Sequence, residues 1–400
     1  MSARLHPSGS GRSPVLWIVA AELGAVFLGA ILPTPLYPLY RQAFGFSGVM
    51  LTLIYAVYVL GNLTALLFFG RLSDQIGRRK VSLPAIGIAI VSAIVFAAAS
   101  GTPWLFAGRA LSGFATGLVS GTGTAWIVEL CVASKRDAAA RIAAAANFFG
   151  NAAGPLLSGL LAQLAPSPLR LPFYVYLAVL VAVGAAILIP PETVTKPKDW
   201  RDVALRPRLG VPPNIRLPFI APAVAGFCTF ALIGFYSALI PNVLGDSLHL
   251  HAPIVAGGIV CALFGIAAIT VLSTGRLGSQ ATMFGALALL LPSVWLLVGA
   301  EIFKSLPILL VAAAVGGVAG GLGYRGSLEV INRIAPADRR SEIVSTYLIA
   351  LFAGNSVPVI GIGVLSALTS PAVAHVTFAA VITALAGIAA VTGIRYAPKA

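Results

Sequence analysis

The sequence predicts an all-α integral membrane protein with twelve transmembrane helices, arranged as two parallel six-helix repeats. Three observations lead to this fold class: twelve long apolar runs, a low charge content, and basic residues that gather in alternate loops. Of the 400 residues, 58% are hydrophobic and 10% are charged, whereas soluble domains carry about 25% charged residues. A helix rises about 1.5 Å per residue, so about 20 apolar residues span a hydrocarbon core of about 30 Å.

Each apolar run is long enough to cross a bilayer. The runs are Val15–Pro38, Val49–Gly70, Val81–Ser100, Pro103–Ile127, Ile142–Leu164, Pro172–Ile189, Pro218–Leu244, Ile254–Ser273, Ala281–Ala300, Leu306–Ile331, Ile343–Leu368 and Pro371–Ile394. The first run follows two arginines, as a secretory signal peptide does. Because Glu22 lies inside it and no small-residue cleavage site follows, we interpret it as a retained first helix.

Basic residues are distributed unevenly between the two sides of the predicted bundle. With the N-terminus placed in the cytoplasm, 21 of the 26 Lys and Arg residues fall on the cytoplasmic side. The outer side receives Arg41, Arg170 and Lys304, while Arg109 and Arg325 lie within apolar runs. This is the positive-inside pattern, which predicts both termini in the cytoplasm. It also argues against nucleic-acid binding as the reason for the net charge of +14, since such a patch gathers its charges on one folded face.

The chain repeats itself after about 200 residues. Matching residues recur in the same order in both halves: Gly117, Gly121 and Glu129 with Gly317, Gly321 and Glu329, Phe148–Asn151 with Phe352–Asn355, and Gly70–Leu72 with Gly275–Leu277. The longest polar stretch separates six apolar runs from six. We therefore predict a six-helix N-terminal half (1–190), a central cytoplasmic loop (191–217) and a six-helix C-terminal half (218–400). An even number of helices in each half makes the repeat parallel.

The most distinctive loop follows the second run and reads Gly70-Arg71-Leu72-Ser73-Asp74-Gln75-Ile76-Gly77-Arg78-Arg79-Lys80. Its two glycines allow a tight connection, and Asp74 can accept hydrogen bonds from Arg78 and from the amide end of a neighbouring helix. Together with the two parallel halves, this loop resembles the major facilitator superfamily of secondary transporters. It matches the superfamily's Gly-x-Leu-(Ala/Ser)-Asp-Arg-x-Gly-Arg-(Arg/Lys) signature except at Gln75, where arginine is usual.

The resemblance implies a conformational latch, made from the motif and from an acidic residue at the inner end of the fourth helix. Its residues here are Gly70, Asp74, Gly77, Arg78, Arg79 and Glu129. In the superfamily, the residues that match Asp74, Arg78 and Glu129 form a charge relay that latches the two halves in the outward-facing state. The alternative is that the basic residues only set the topology. Glu329 and Arg276 resemble an incomplete copy of the latch in the second half.

Two ionisable residues within apolar runs are candidates for proton coupling. Glu22 is the only carboxylate well inside a run, and a charged acid at the bilayer centre costs about 2.5–3.5 kcal/mol on insertion scales, so such residues face a cavity or a partner. Arg109 corresponds by resemblance to the superfamily's fourth-helix arginine, which is associated with proton transfer in antiporters. A structural Glu22 and an Arg109 that reaches the headgroups are the respective alternatives.

The fifth run contains the pattern Gly150-x-x-x-Gly154-Pro155-x-x-x-Gly159. Small residues four apart permit close contact between helices, and Pro155 frees the carbonyl of Asn151, which kinks the helix. The pattern resembles the antiporter signature of the drug/proton branch of the superfamily, although Ser158 stands where a second glycine is frequent. Its presence in the first half alone favours export.

Polar residues in the remaining runs are candidates for lining a cavity near the middle of the membrane. They are Asn62, Asn147, Asn151, Tyr236, Tyr324 and Asn355. The chain shows no phosphate-binding loop, no metal-ligand spacing and no catalytic triad in its short loops. We therefore expect no enzymatic activity, no metal and no cofactor.

These observations predict a secondary transporter that exports small amphipathic or drug-like molecules, driven by an ion gradient, most simply of protons. Its partners would be the small-molecule substrate and the lipid bilayer, without nucleic acid, and it would act as a monomer in the cell inner membrane. Two alternatives stay open at this point. One is a proton-coupled importer of a sugar or organic acid. The other is a transporter-like sensor or assembly factor, which would usually carry a folded domain outside the membrane.

Overall fold

The structure is a computed structural model that describes residues 14–195 and 209–396, and within these ranges the chain is helical without a strand. Its α-helices are α1 Pro14–Ile31, α2 Tyr37–Phe44, α3 Gly48–Thr64, α4 Leu72–Ile76, α5 Arg78–Ala97, α6 Thr102–Glu129, α7 Arg136–Leu164, α8 Leu171–Ala186, α9 Arg216–Asn242, α10 Pro253–Ser273, α11 Ser279–Ile302, α12 Leu306–Ile334, α13 Arg340–Leu368 and α14 Pro371–Tyr396. A helix covers each predicted run, and the all-α class is confirmed. Both chain termini and residues 196–208 of the predicted central loop lie outside the described residues.

Nine helical stretches in 14–195 and 209–396 are long and apolar enough to cross a membrane. They are Pro14–Phe44, Gly48–Ile76, Arg78–Ala97, Pro213–Ser247, Pro253–Ser273, Ser279–Ile302, Leu306–Ile334, Arg340–Leu368 and Pro371–Tyr396. The protein is therefore a multi-pass membrane protein. Of the other long helices, α6 and α7 are rich in small and polar residues, and α8 has only 16 residues.

The first predicted run does not form one straight helix. α1 ends at Ile31, a 3-10 turn covers Thr34–Leu36, and α2 continues to Phe44. Pro33 and Pro35 explain the break, because proline has no N–H to donate and its ring clashes with the preceding turn.

The helices pack in two groups, α1–α8 and α9–α14, that show the same pattern of neighbours. In the first group α1 packs against α6 and α7, α3 against α6, and α5 against α6 and α8. In the second group α9 packs against α12 and α13, α10 against α12, and α11 against α12 and α14. The groups meet along two seams, where α3 packs against α13 and α7 against α10. A continuous hydrophobic core runs through both groups.

One end of the bundle, which we call the charged end, carries the basic loops at Arg71–Lys80, Lys135–Arg141 and Arg333–Arg340. At this end the guanidinium of Arg141, near the start of α7, also lies against Gly275 in the connection between α10 and α11. The opposite end carries the connections between α2 and α3, α9 and α10, α11 and α12, and α13 and α14.

Helix α7 lies at backbone distance from helices of both groups. On one face, Gly150 and Gly154 lie against the backbone of α1, where an added Cβ on Gly150 would fall within 2.9 Å of the Gly24 Cα. Further along, Gly159 lies against the backbone at Pro253, and Gly257 of α10 lies against the carbonyl of Pro155. The small residues of the α7 pattern therefore act as packing positions both within the first group and on the seam between α7 and α10.

We predict that Gly150→Ala lowers stability, whereas Gly258→Ala does not. An alanine at position 150 forces its methyl group into the backbone of α1, which costs about 1–3 kcal/mol as an overpacked contact. Gly258 lies in a helix with nothing within 4 Å of its added Cβ, so alanine is neutral or mildly stabilising there. Thermal unfolding of the two purified variants in one detergent measures the difference. Equal midpoints would contradict the α1–α7 packing.

Candidate functional site

A buried arginine organises the charged end of the first group. Arg78, at the start of α5, is only 4% exposed, and its guanidinium lies 2.5 Å from Asp74 Oδ1. It also pairs with both carboxylate oxygens of Glu129 at the end of α6, at 2.5 and 3.1 Å, and donates to Ser73 Oγ at 2.7 Å. Bidentate pairing of this kind is the strongest form of the arginine–carboxylate bond. The structure thus brings Asp74, Arg78 and Glu129 together, as the latch hypothesis requires.

The segment that follows α8 binds to the same cluster. The carboxylate of Glu192 accepts from the backbone N–H of Arg78 at 2.9 Å and of Arg79 at 3.1 Å. These N–H groups belong to the free N-terminus of α5, where a carboxylate is favoured by unpaired donors and by the helix dipole. Gly77 has a φ of +117°, and its added Cβ would fall 2.8 Å from Glu192 Oε2. Both the positive φ and the close approach of Glu192 therefore favour glycine at this position.

Further hydrogen bonds fasten this segment, Pro190–Val194, to the first group. The side chain of Arg79 donates to the Pro190 carbonyl at 2.5 Å, and the Trp126 indole N–H donates to the Pro191 carbonyl at 3.0 Å. Thr193 donates its hydroxyl to Glu129 at 2.5 Å. Glu192 was not among the residues predicted from the sequence. The only sequence signal for it was the presence of an acidic residue shortly after the sixth run.

The contacts of this cluster lie within the first group and the segment after α8. The side chain of Asp74 is half exposed, at 52%, although it pairs with Arg78. The corresponding place in the second group is built differently, because Glu329 pairs at 2.7 Å with Arg325 on its own helix rather than with Arg276. Arg325 also donates to the carbonyl of Thr274 and, at 2.9 Å, to that of Leu277, both in the connection between α10 and α11.

A central cavity of about 80 Å³ lies between the two groups. Aromatic rings and amides dominate its wall, together with one serine and several aliphatic side chains. The aromatic and polar residues are Phe27, Tyr55, Tyr58, Ser120, Asn147, Phe148, Asn151, Phe230, Phe264, Tyr324, Phe352 and Asn355. None of the described side chains in this wall is charged.

The structure places four of the six candidate cavity residues around this cavity: Asn147, Asn151, Tyr324 and Asn355. Asn151 donates to Asn147 Oδ1 at 2.9 Å, and its own Oδ1 has no hydrogen-bond partner among the described residues. Asn355 Oδ1 accepts from the hydroxyl of Tyr55 at 3.1 Å, across the two groups. One acceptor of the Asn147–Asn151 pair is therefore free for a solute.

The other two candidates, Asn62 and Tyr236, do not line the central cavity. Asn62 faces α6 and donates to Thr116 Oγ1 at 3.1 Å. Tyr236 is fully buried within the second group and lies beside Phe235. Both are buried polar residues outside the wall of the central cavity, so their assignment as cavity residues stays a prediction.

Arg109 is buried between α1 and α3 and lies outside the cavity wall. Its guanidinium donates to the carbonyl of Ala30 and, at 3.4 Å, to that of Tyr55. It also lies over the rings of Tyr55 and Tyr58, 5.2 and 4.6 Å from their centroids. Arg109 is only 1% exposed, so these are buried cation–π contacts.

Glu22 is fully buried in α1 and lies near Ser82 of α5. Neither carboxylate oxygen has a hydrogen-bond partner among the described residues. The cavity-lining residues of α1 are Phe27 and Ile31. A helix turns about 100° per residue, so these side chains point about 140° and 180° away from Glu22. Glu22 therefore lies on a different face of α1 from the cavity.

The opposite end contains wider cavities and a buried acid–base pair. Three cavities of about 460, 290 and 290 Å³ open there. His375 of α14 lies 2.7 Å from Glu301 of α11, with its ring edge-on to Phe235 at 5.0 Å between centroids. In the residues the structure covers, no cluster of three or more His, Cys, Asp or Glu side chains is arranged to hold a metal ion.

We predict that Glu192→Ala releases the Pro190–Val194 segment and exposes the start of α5. Loss of the carboxylate leaves the N–H groups of Arg78 and Arg79 without their acceptor, so their hydrogen exchange should accelerate by about tenfold for each 1.4 kcal/mol of lost protection. Thr193→Val is the matched control, because it removes only the hydroxyl bond to Glu129. Hydrogen-exchange mass spectrometry on the N-terminal peptide of α5 measures both. Unchanged exchange in Glu192→Ala would contradict the capping role.

Solved transporter structures have the same fold. One is a POT family transporter in complex with a thioalcohol-conjugated peptide, with a TM-score of 0.75, 12% identity and coverage of 96% of each chain. Another is the human organic anion transporter MFSD10 (TETRAN), with a TM-score of 0.69, 18% identity and coverage of 95% of this chain and 100% of that one.

Curated relatives are similar in sequence over part of the chain. The quinolone resistance protein NorA of Staphylococcus aureus is 24% identical over 257 residues, which are 63% of this chain and 65% of NorA. The multidrug resistance protein 2 of Bacillus subtilis (strain 168) is 24% identical over 179 residues, 44% of each chain. The match thus spans about two thirds or less of these relatives.

A sequence profile described as Major Facilitator Superfamily matches residues 23–356, which cover most of the chain. The match includes the loop after the second run, the central cavity and most of the second group. The protein therefore belongs to the Major Facilitator Superfamily and is a membrane transporter rather than an enzyme, as the resemblance of its sequence implied.

Proposed function

We propose that this transporter exports small amphipathic or drug-like molecules by alternating access, driven by a proton gradient. The observation that carries the proposal is the wall of the central cavity, which offers aromatic rings and amides without a described charged side chain. Such a wall holds flat apolar groups against ring faces and orients them through a few polar atoms. The names of the relatives as resistance proteins support export as the direction.

The size of the cavity supports a mechanism in which the groups move. A drug-sized molecule occupies a pocket of about 300–1,000 Å³, whereas the central cavity holds about 80 Å³. Its walls come from both groups, so rocking one group against the other enlarges it on one side at a time. An inward proton flow supplies about 2.3 kcal/mol per charge per 100 mV, which is sufficient to drive export of a neutral solute.

We propose twelve membrane spans in two parallel repeats, divided at 1–190, 191–217 and 218–400, in a protein that acts as a monomer. The matching neighbours of α1, α5 and α6 in one group and α9, α11 and α12 in the other support the repeat. The basic loops at one end support a cytoplasmic charged end, with the protein in the cell inner membrane and both termini in the cytoplasm.

We propose that the cluster of Asp74, Arg78 and Glu129 latches the outward-facing state. Arg78 is held by two carboxylates, and the side chain of Asp74 stays half exposed in this pair. Asp74 is therefore free to dock on the N-terminus of a helix in the second group when the charged end closes. In the described conformation the three residues of the cluster already pair with one another, and docking on that helix N-terminus would complete the latch.

Proton coupling is proposed for Glu22 and Arg109. Glu22 is an unpaired buried carboxyl in the part of the chain described, as a proton-carrying group requires. Because it lies away from the cavity, it would act on the cavity through movement of α1 against α5. Arg109 fixes the end of α1 through the Ala30 carbonyl and thereby connects α1 to α3.

The importer alternative has a less suitable site. An organic-acid site needs cavity arginines, but Arg109 lies behind Tyr55 and Tyr58, and Arg325 pairs with Glu329 at the charged end. A sugar could bond the amides of Asn147, Asn151 and Asn355. The surrounding aromatic rings, however, offer few hydrogen-bond partners for the other hydroxyl groups of a sugar. The measured direction of transport separates the two functions.

We expect the wild-type protein to lower the accumulation of an amphipathic dye in energised cells of an efflux-deficient host, and an uncoupler to abolish this effect. Asn151→Leu removes the free amide acceptor from the cavity and should reduce efflux by about tenfold, as loss of a buried polar contact costs about 1–3 kcal/mol. Asn332→Leu is the control, because that amide bonds the Leu328 carbonyl of its own helix. Accumulation of solute by the wild type would exclude export and favour import.

The orientation is tested by the single substitutions Thr195→Cys and Leu248→Cys in a cysteine-free background. We expect the thiol at position 195 to react with an impermeant reagent only in inside-out vesicles, and the thiol at position 248 only in intact cells. The charge of the loops sets this expectation. Labelling of position 195 from outside intact cells would reverse the proposed topology.

A further inference from the structure

Two cavities lie along the seam between α3 and α13, and a thin partition separates them. Tyr55 and Asn355 belong to the wall of the central cavity, while Thr52 and Gly363 belong to a cavity of about 290 Å³ at the opposite end. Thr52 precedes Tyr55 by three residues and Gly363 follows Asn355 by eight, which correspond to about 5 and 12 Å of helix. One to two turns of each helix therefore close the central cavity toward the opposite end.

A hydrogen bond joins the two sides of this partition. The hydroxyl of Tyr55 on α3 donates to Oδ1 of Asn355 on α13 at 3.1 Å, and both side chains are buried. Next to it the helices are in tight contact, since an added Cβ on Gly363 would fall 2.6 Å from Thr52 Oγ1. The two groups can separate here only if the Tyr55–Asn355 bond breaks.

The rest of the first group holds Tyr55 in place. Arg109 donates to the Tyr55 carbonyl at 3.4 Å and lies 5.2 Å from the centre of its ring. The same guanidinium donates to Ala30 near the end of α1. Four residues on, Thr34 makes a second bond between the groups, from Oγ1 to the Ser237 carbonyl at 2.6 Å. Arg109 therefore bonds backbone at or near the first-group residue of both these contacts, at Tyr55 itself and at Ala30 before Thr34.

We propose that the Tyr55–Asn355 hydrogen bond is the clasp that closes the central cavity toward the opposite end, and that its rupture is the step that exposes the cavity there. The proposal rests on the alternating access of this cavity that is proposed above. Tyr55 and Asn355 are positioning residues of the transport cycle, because they set the balance between the closed and open forms of one seam. Asn355 is also a wall residue, so the clasp lies where a bound solute contacts it.

The expected effect of losing the clasp follows from the bond it removes. Tyr55→Phe keeps the ring over Arg109 but deletes the hydroxyl, and it leaves Asn355 Oδ1 unpaired in the closed form. A net hydrogen bond of about 0.5–1.5 kcal/mol corresponds to a shift of about 2–10-fold in the ratio of open to closed molecules. Tyr58→Phe is a matched control in the same wall, because its hydroxyl bonds Thr116 within the first group at 3.0 Å.

The experiment is a spin-label distance measurement across the seam in full-length protein in lipid nanodiscs. Labels at Val49→Cys and Ser366→Cys, which face each other across the cavity at the opposite end, report its width in a background with Cys131, Cys228 and Cys261 replaced by alanine. We expect Tyr55→Phe to raise the long-distance population about 2–10-fold, and Tyr58→Phe to leave it unchanged. Asn355→Leu should give the same shift, without a further increase in the double variant.

A Tyr55→Phe distribution identical to that of the wild type overturns the clasp, and so does an equal shift in Tyr58→Phe. If Tyr55→Phe does not fold, Thr34→Val removes the neighbouring bond to Ser237 and should widen the seam in the same measurement. The dye assay is separate from this test. If the wild type expels no dye but the seam opens in Tyr55→Phe, the clasp is supported and the proposed substrate class is wrong.

Discussion

The rest of the structure depends on the backbone contact that α7 makes with both groups. Gly150 and Gly154 bring it against α1, while Pro155 and Gly159 bring it against α10. Helices in a lipid environment gain no hydrophobic driving force from packing together. Close backbone contact between α7 and its neighbours supplies dispersion attraction instead. The same helix carries Asn147, Phe148 and Asn151 into the central cavity, so the separation fixed by its glycines also sets the width of the cavity.

The three buried arginines of the described residues have local partners and lie outside the wall of the central cavity. Arg78 is neutralised by Asp74 and Glu129, and Arg325 pairs with Glu329 and bonds carbonyls of the connection after α10. Arg109 has ring faces and carbonyls instead of a carboxylate. In a low-dielectric interior an unpaired charge in the wall of a pocket would dominate what binds there. Removing charges from the wall leaves shape and ring faces to select the solute.

The sequence predicted the helices and the charged motif because both depend on local patterns. Apolar length identified the runs, and the Gly70–Lys80 motif has Asp74 four residues before Arg78, where the two side chains pair across Gly77. Glu192 was missed because it meets Arg78 from 114 residues away, and no periodicity records such a contact. The positions of Asn62 and Tyr236, which do not line the central cavity in this structure, were hidden from the sequence for a related reason. On a helix that is buried on all sides, the sequence does not distinguish polar residues on one face from those on another. Only the packing of the helices determines which face lines the cavity.

The fastening of Pro190–Val194 has a consequence for how far the two groups can move. The connection between them does not begin where α8 ends, because Glu192 and Thr193 are tied to α5 and α6. At its other end, the N–H of Gly210 donates to Thr346 on α13 at 3.0 Å. Thr193 and Gly210 are 17 residues apart in the sequence, so at about 3.3–3.6 Å per residue the chain between them spans at most about 60 Å. This tether sets an upper limit on the separation of its two anchor points in any conformation that keeps both attachments.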